Sequence, residues 1–310
     1  MLTLFTVPKA FHGHTGIIQR NAIQSWTFLH PKCEVILLAD DDGTAEAAEE
    51  LGVRHIADVA RNEFGTPLLN SAFQRAEESA NYELLCHVNA DIILMSDFVE
   101  AIQRVQANSS KFLMTARRRD FEITERLDFE TGWEDRLRTQ VSNSGKLSHP
   151  TGIDFWVYPK GLMDNMPPFA VGRIATDCWL LYRARVMKAD LIDSTEAIES
   201  IHQNHDYAHT GGIVRLGTGV EAQRNRDLVG GKPYFFTVRD RTHVLTSKGL
   251  KRSLDGWTIW RGIRTAPVLY PDMPWPLRLA IKGLNNSIDF GRDLLIKARN
   301  AAVGRPGAQS

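Results

Sequence analysis

Over the first 115 residues, apolar runs of strand length alternate with stretches of helical period. Leu2 to Val7, Cys33 to Ala39 and Leu84 to Val88 are near-continuous apolar runs, the pattern of strands buried on both faces. Val53 to Ile56 and Lys111 to Ala116 are weaker runs of the same kind. Between the first two, Ile18, Ala22, Trp26 and Leu29 recur at helical spacing, with Thr15 placed to cap and Pro31 to terminate. Ala45 to Leu51 predicts a short helix stopped by Gly52. Thr66-Pro67 predicts the start of a third helix, with Leu69, Ala72, Phe73 and Ala76 on one face. Ser96 is placed to cap a fourth, through Val99, Ile102 and Val105. This alternation predicts an α/β fold: a Rossmann-like, mostly parallel central sheet flanked by helices, with right-handed crossovers.

Beyond residue 116 the pattern loosens. Residues 122–146 are charged and irregular, with a short helix around Trp133 to Leu137, either an ordered insertion or a flap. Thr151 to Tyr158 alternates again, Asp177 opens a helix through Trp179, Leu180 and Leu181, and Leu191 to Ile201 holds strand-like pieces. From Pro276 onward, Leu277, Ile281, Leu284, Ile288 and Leu295 form a helical stripe, a C-terminal helical extension.

Composition narrows the partners. Lys plus Arg and Asp plus Glu both number 37, so no bulk charge draws the chain to nucleic acid. Cys33, Cys86 and Cys178 are far apart and odd in number, which points to a reducing compartment rather than a disulfide framework. Met1 to Pro8 lacks a basic leader and a signal-length apolar run, and no run reaches transmembrane length; a cytoplasmic location is expected. The extension departs from the neutral average: Arg278, Lys282, Arg292, Lys297, Arg299 and Arg305 outnumber Asp289 and Asp293 beside Trp275. Such a helix either docks on the rest of the chain or makes weak peripheral contact with a membrane.

The candidate chemistry gathers at the ends of the strands, where open α/β sheets bind ligands. Leu84 to Val88 runs into Asn89-Ala90-Asp91, and a carboxylate there is costly unless paired. A divalent cation carrying a diphosphate would supply the partner. Asp40-Asp41-Asp42-Gly43 ends the second strand on the same edge and can accept hydrogen bonds from a base or ribose, or be a solvated acidic turn. Lys9, just after the first strand, can face a diphosphate or solvent. His202, His205 and His209 lie within eight residues; one of them joining Asp91 on a manganese-type ion is favoured over a polar loop or a zinc cluster. Asp177 is either a helix cap or a general base kept ionised by the helix dipole, with Asp154, among aromatic residues, as second candidate base. Arg117-Arg118-Arg119 reads as a solvated charge run or an anion site.

These residues resemble the GT-A glycosyltransferases, the nucleotide-diphospho-sugar transferases of the family 2 type. Asp41-Asp42-Gly43-Thr44 is similar to the turn that holds the nucleoside in that family; Asn62-Glu63-Phe64-Gly65 with Asn70 resembles its Asn-x-Gly…Asn segment. Asn89-Ala90-Asp91 sits where the family has Asp-x-Asp, and Thr176-Asp177 where inverting members carry their catalytic Asp. The order and spacing match over roughly residues 1 to 210, with Asn89 and Thr176 as departures. The resemblance implies a nucleoside-diphosphate-sugar donor on Lys9, Asp41, Asp42, Asn62, Asn70, Asn89 and Asp91. It implies Mn²⁺ or Mg²⁺ on Asp91 with His202 or His205, and transfer to a carbohydrate or lipid-linked acceptor. Residues 1–115 would bind the nucleotide sugar, 116–270 would form the acceptor and catalytic half of the same domain, and 271–310 the tail. A sugar-phosphate nucleotidyltransferase or a non-catalytic nucleotide-sugar-binding module are the competing readings. The first would favour a Gly-rich basic loop after strand one, where this chain has Thr6-Val7-Pro8-Lys9-Ala10-Phe11.

Overall fold

The computed structural model describes residues 2–205 and 217–302, in two units divided between Leu254 and Asp255. In the first unit the elements run β1 (Leu2–Thr6), α1 (Gly13–Thr27), β2 (Glu34–Leu38), α2 (Thr44–Leu51), β3 (Arg54–Ile56), α3 (Leu69–Ser79), β4 (Leu84–Val88), β5 (Ile92–Ile93), α4 (Ser96–Gln106) and β6 (Phe112–Thr115). There follow β7 (Arg119–Phe121), α5 (Trp133–Ser144), β8 (Lys146–Leu147), β9 (Phe155–Pro159), α6 (Thr176–Val186), β10 (Asp190–Asp193), β11 (Ile201–Gln203), α7 (Val220–Val229), β12 (His243–Thr246) and β13 (Gly249–Arg252).

The expected α/β sheet is present. Nine strands order as β13-β12-β10-β6-β9-β4-β1-β2-β3. Within it β3, β2, β1 and β4 run parallel, as do β6, β10 and β12, while β9 enters antiparallel between the two groups. Parallel order sets the carboxyl ends of β1, β2 and β4 on one edge. Alternation along each strand divides the core. Leu4, Leu37 and Cys86 pack with Ala22, Trp26, Phe98 and Ile102 of α1 and α4. On the other face Phe73 of α3 meets Phe5 edge-on at 4.9 Å and stacks on Tyr158 at 5.8 Å.

A second, four-stranded sheet, β5-β11-β7-β8, stands beside the first. Its β11 pairs antiparallel with β5 (Ile201↔Ile93, His202↔Ile92) and parallel with β7 (His202↔Asp120). Ile93, Ile123, Leu137, Val141 and Ile201 form its own small core under α5. The charged stretch 122–146 is therefore ordered, and its helix runs to Ser144.

Three local expectations change. Thr66-Pro67 does not start a helix: α3 begins at Leu69, and Asn62 Oδ1 accepts the Phe64 and Thr66 N–H groups, each at 3.0 Å. Ser96 does not cap α4; Glu134 of α5 accepts from both its N–H and its hydroxyl. Each member of the Arg117–Arg119 run has an internal partner, Ser148 O, Asp154 and Glu199 respectively. At Ser96 and the arginines a group distant in sequence decides; at Thr66 it is Asn62, four residues upstream.

In the C-terminal unit, α8 (Gly256–Leu269) and α9 (Trp275–Ala302) pack on one another, with Asn285 Nδ2 donating to Arg264 O at 3.3 Å. Asp255 caps α8 through the Thr258 N–H.

The indole of Trp26, fully buried, donates to Ile92 O at 2.8 Å and so ties α1 to β5. Trp26→Phe keeps an aromatic ring there but leaves part of the indole's volume empty and removes the donor to that carbonyl. It should lower stability by about 1–3 kcal/mol, read as a shifted urea midpoint at unchanged slope.

Candidate functional site

The carboxyl ends of β1, β2 and β4 open into a cleft of about 680 Å³, well within the size of small-molecule sites. Asp91 lies on its wall, in the turn between β4 and β5. Its backbone is fixed from β11: the Gln203 N–H and Nε2 both donate to Asp91 O at 3.2 Å. Gln203 is itself held by Ile18 O and by Asn21 Nδ2, so α1 braces the site from behind.

Pairing of β11 with β5 sets His202 beside Asp91. His202 Nε2 and His205 Nε2 approach Asp91 Oδ2 at 3.6 and 3.1 Å, and one ligand atom from each of the three residues lies within 4.8 Å of the others. Asp91 Oδ1 is buried and has no hydrogen-bond partner among the described residues. Burial alone would raise this carboxyl, but His202, His205 and the Lys9 ammonium hold it well below the usual carboxylate range. Burial pulls His202 down, and Asp91 more than restores it. One carboxylate with an orphaned oxygen and two imidazoles facing it are a donor set that fits a divalent cation. Behind His202, Asp120 Oδ1 lies 3.1 Å from Nδ1, a close charge contact without hydrogen-bond geometry, on the side of the ring where a carboxylate can orient a metal-binding imidazole. His209 lies outside the described residues.

Asp154 also lines the cleft, yet both its oxygens are engaged: Oδ1 accepts from Asn89 Nδ2 at 2.6 Å and Oδ2 from Arg118 Nη1 at 2.8 Å. Asp177, in the first turn of α6, has neither partner. The N-cap of α6 is Ala175, with no side chain capping it. The expectation that the helix dipole keeps Asp177 readily ionised is overturned. Burial, with Asp154 nearby, pushes its carboxyl up to about 7. Trp156 and His87 stack at 5.4 Å and line the cleft below, His87 kept neutral by burial that lowers its pKa to about 3.

Of the donor-side residues, Lys9, Asp41 and Asn89 line the cleft. Burial lowers the Lys9 ammonium, against the pull of Asp91. Asp41 pairs with Arg61 at 3.1 Å. Asp42 turns outward to His12 at 2.7 Å, both exposed. Asn62 stands behind the cleft wall, closing the 62–66 turn and donating to Glu221 of α7 at 2.7 Å. Asn70 faces a separate cavity with Phe73, Glu77 and Met163. Asp120, Gln203, Asn21 and Arg118 have structural parts here that the sequence did not single out as such; only Arg118 carried a signal, as a candidate anion contact.

No family model matches the sequence, and no curated protein matches it. Among solved structures, the chain is similar to a mannosyltransferase from Pyrobaculum calidifontis in complex with GDP-Man and Mn²⁺ (12% identity, 93% of this chain and 80% of that one, TM-score 0.44). It is also similar to glucosyl-3-phosphoglycerate synthase from Mycobacterium tuberculosis with Mn²⁺, UDP and glucosyl-3-phosphoglycerate (14%, 75% and 81%, 0.46). A third is S. aureus TarS 1-349 with UDP-GlcNAc (12%, 91% and 79%, 0.48).

Two outcomes test the site itself. Calorimetric titration with Mn²⁺ should show binding that Asp91→Ala abolishes and His205→Ala weakens; Asp120→Asn should weaken it by about 10–100-fold while leaving Asp91 in place. Asp177 supplies a second, through stability. Its carboxyl is raised in the folded chain, so the folded state binds the proton more tightly than the unfolded one. The resulting penalty grows as pH rises from about 4 toward 7 and stays above that. In urea unfolding Asp177→Asn should therefore be more stable than the native chain at pH 8, with the gap narrowing steadily on acidification.

Proposed function

We propose that the chain is a divalent-metal-dependent glycosyltransferase of the GT-A type, moving a sugar from a nucleoside-diphosphate donor to an acceptor hydroxyl. The observation that carries this reading is the Asp91–His202–His205 cluster, sharing one cleft at the strand ends with Asp41 and Asp177. Asp91, His202 and His205 would hold Mn²⁺ or Mg²⁺, which when bound supplies a Lewis acid for the departing diphosphate.

The chain's own residues account for the rest. Lys9 brings a buried positive charge to the wall that carries Asp91, where a diphosphate would lie. Asp41, on the same edge at the end of β2, accepts hydrogen bonds from the nucleoside; Asn62 acts indirectly, by shaping the 62–66 turn. Asn89 stands in the metal motif's first position but spends its amide on Asp154, so it positions that carboxylate rather than binding the ion. Asp154 has both oxygens occupied by Arg118 and Asn89, which leaves Asp177 as the base. Asp177 takes the proton of the acceptor hydroxyl; the oxygen attacks the anomeric carbon as the bond to the nucleoside diphosphate breaks. A single displacement of this kind inverts the anomeric configuration. A carboxyl at about 7 suits the task, since general bases work best with a pKa near the operating pH.

Incubating the protein and Mn²⁺ with UDP-, GDP-, CDP- and dTDP-sugars tests the reading: one donor should be turned over, and chelation should stop it. Turnover should decline as pH falls below about 7, as Asp177 becomes protonated. Asp177→Asn should reduce it by about 10²–10⁴-fold with donor affinity retained. Metal-dependent nucleotide binding without turnover of any donor would leave a binding module instead.

A further inference from the structure

The C-terminal unit exposes more large apolar side chains than a helix pair needs for its own packing. On α8, Trp257, Ile259 and Ile263 are 45%, 54% and 44% exposed; on α9, Trp275, Leu277, Leu279 and Leu284 are 50% exposed or more. Tryptophan is prominent among them: Trp257 and Trp260 lie 4.9 Å apart on α8, and Trp275 opens α9. The charge of the unit is one-sided. Residues 255–310 carry eight Lys or Arg against four Asp, although the whole chain is neutral. Arg264 lays its guanidinium over the Trp260 ring at 5.2 Å, keeping charge and aromatic surface together as side chains do at an interface between water and hydrocarbon. No described helix is long and apolar enough to cross a membrane.

We infer that α8 and α9 form an anchor that lies in the surface of an anionic lipid bilayer. The tryptophans and aliphatic side chains enter the headgroup boundary, and the unit's excess of Lys and Arg over Asp supplies the attraction to acidic headgroups. The sequence suggests the second helix alone; the structure adds α8, whose two tryptophans make it the stronger insertion element. Two helices matter energetically, because a single short apolar patch holds a membrane only weakly and reversibly. The electrostatic part acts within a Debye length, about 8 Å at physiological salt, so it requires the basic residues close to the lipid plane. The inference is independent of the donor-site reading, and its test uses no substrate.

Full-length protein is sedimented with vesicles of equal parts phosphatidylcholine and phosphatidylglycerol, and with pure phosphatidylcholine vesicles. It should pellet with the mixed vesicles, bind the neutral ones about tenfold more weakly, and be partly released by high salt. Trp257→Glu with Trp275→Glu should reduce partition by about tenfold or more while Mn²⁺ affinity is unchanged. Should that pair lower the unfolding midpoint, Lys282→Glu with Lys297→Glu carries the test, and should abolish the preference for anionic vesicles with the fold intact. Retention in the supernatant with both vesicle types overturns the inference. So does a concentration-dependent dimer that the tryptophan substitutions dissociate, which would assign the face to a second copy. Vesicle binding insensitive to both pairs of substitutions overturns it as well.

Discussion

Removing the carboxylate of Asp91 from water is the constraint around which the cleft is built. A buried ionised carboxylate is tolerated only with opposite charge and hydrogen bonds close by. From the central sheet β4 delivers Asp91 to its edge, and Lys9, just after β1, adds a positive charge nearby. The second sheet supplies the rest. Because β11 pairs with β5 immediately after Asp91, His202 arrives beside the carboxylate and Gln203 beneath its carbonyl. Pairing with β7 on the other side brings Asp120 to His202. Strands β11 and β7 thus compensate one side chain, and one oxygen of that side chain has no hydrogen-bond partner among the described residues.

The same cleft pushes two carboxyls in opposite directions. Asp91 faces two imidazoles and Lys9 and is held ionised; Asp177 meets burial and a neighbouring carboxylate and is raised to about 7. Asp154, bonded to Arg118 and Asn89, lies between the two. Divergent environments for like groups are how a site separates an ion-binding carboxylate from a proton-transferring one. The dipole argument drawn from sequence failed because Asp177 lies deeper than a surface helix start. The first-turn stabilisation of an exposed carboxylate is small beside the desolvation it suffers there.

What could be read from the sequence was what depends on near neighbours. The strands β1, β2 and β4 announce themselves as apolar runs, α1 and α4 as periodic stripes, and Asp91 by its place after a buried strand. The Asp91–histidine association could be suspected because histidine is scarce and three fall together. Asp120 and Gln203 could not: each is an ordinary polar residue whose part is set by strand pairing across more than eighty positions. Glu134 at the start of α4 is likewise a tertiary substitute for the cap that local preference assigned to Ser96, whereas at Thr66 one local motif, the turn closed by Asn62, displaces another. Arg118 looked like one of three surface charges until Asp154 and Asp120 were found on either side of it.

The replacement of the expected Asp by Asn89 follows from this charge balance. Asn89 donates to Asp154 at 2.6 Å, a contact in which an ionised carboxylate would place two negative charges together with only Arg118 between them and Asp91 close by. An amide keeps the hydrogen bond and removes the repulsion. The proposed metal set is then one carboxylate, Asp91, and two imidazoles, His202 and His205. Mg²⁺ prefers oxygen ligands and keeps its waters, so a set of one carboxylate and two imidazole nitrogens favours an ion that accepts nitrogen more readily, such as Mn²⁺. In the proposed metal site the nitrogen ligands come from one short stretch, His202 in β11 and His205 just after it, beside the single carboxylate of Asp91.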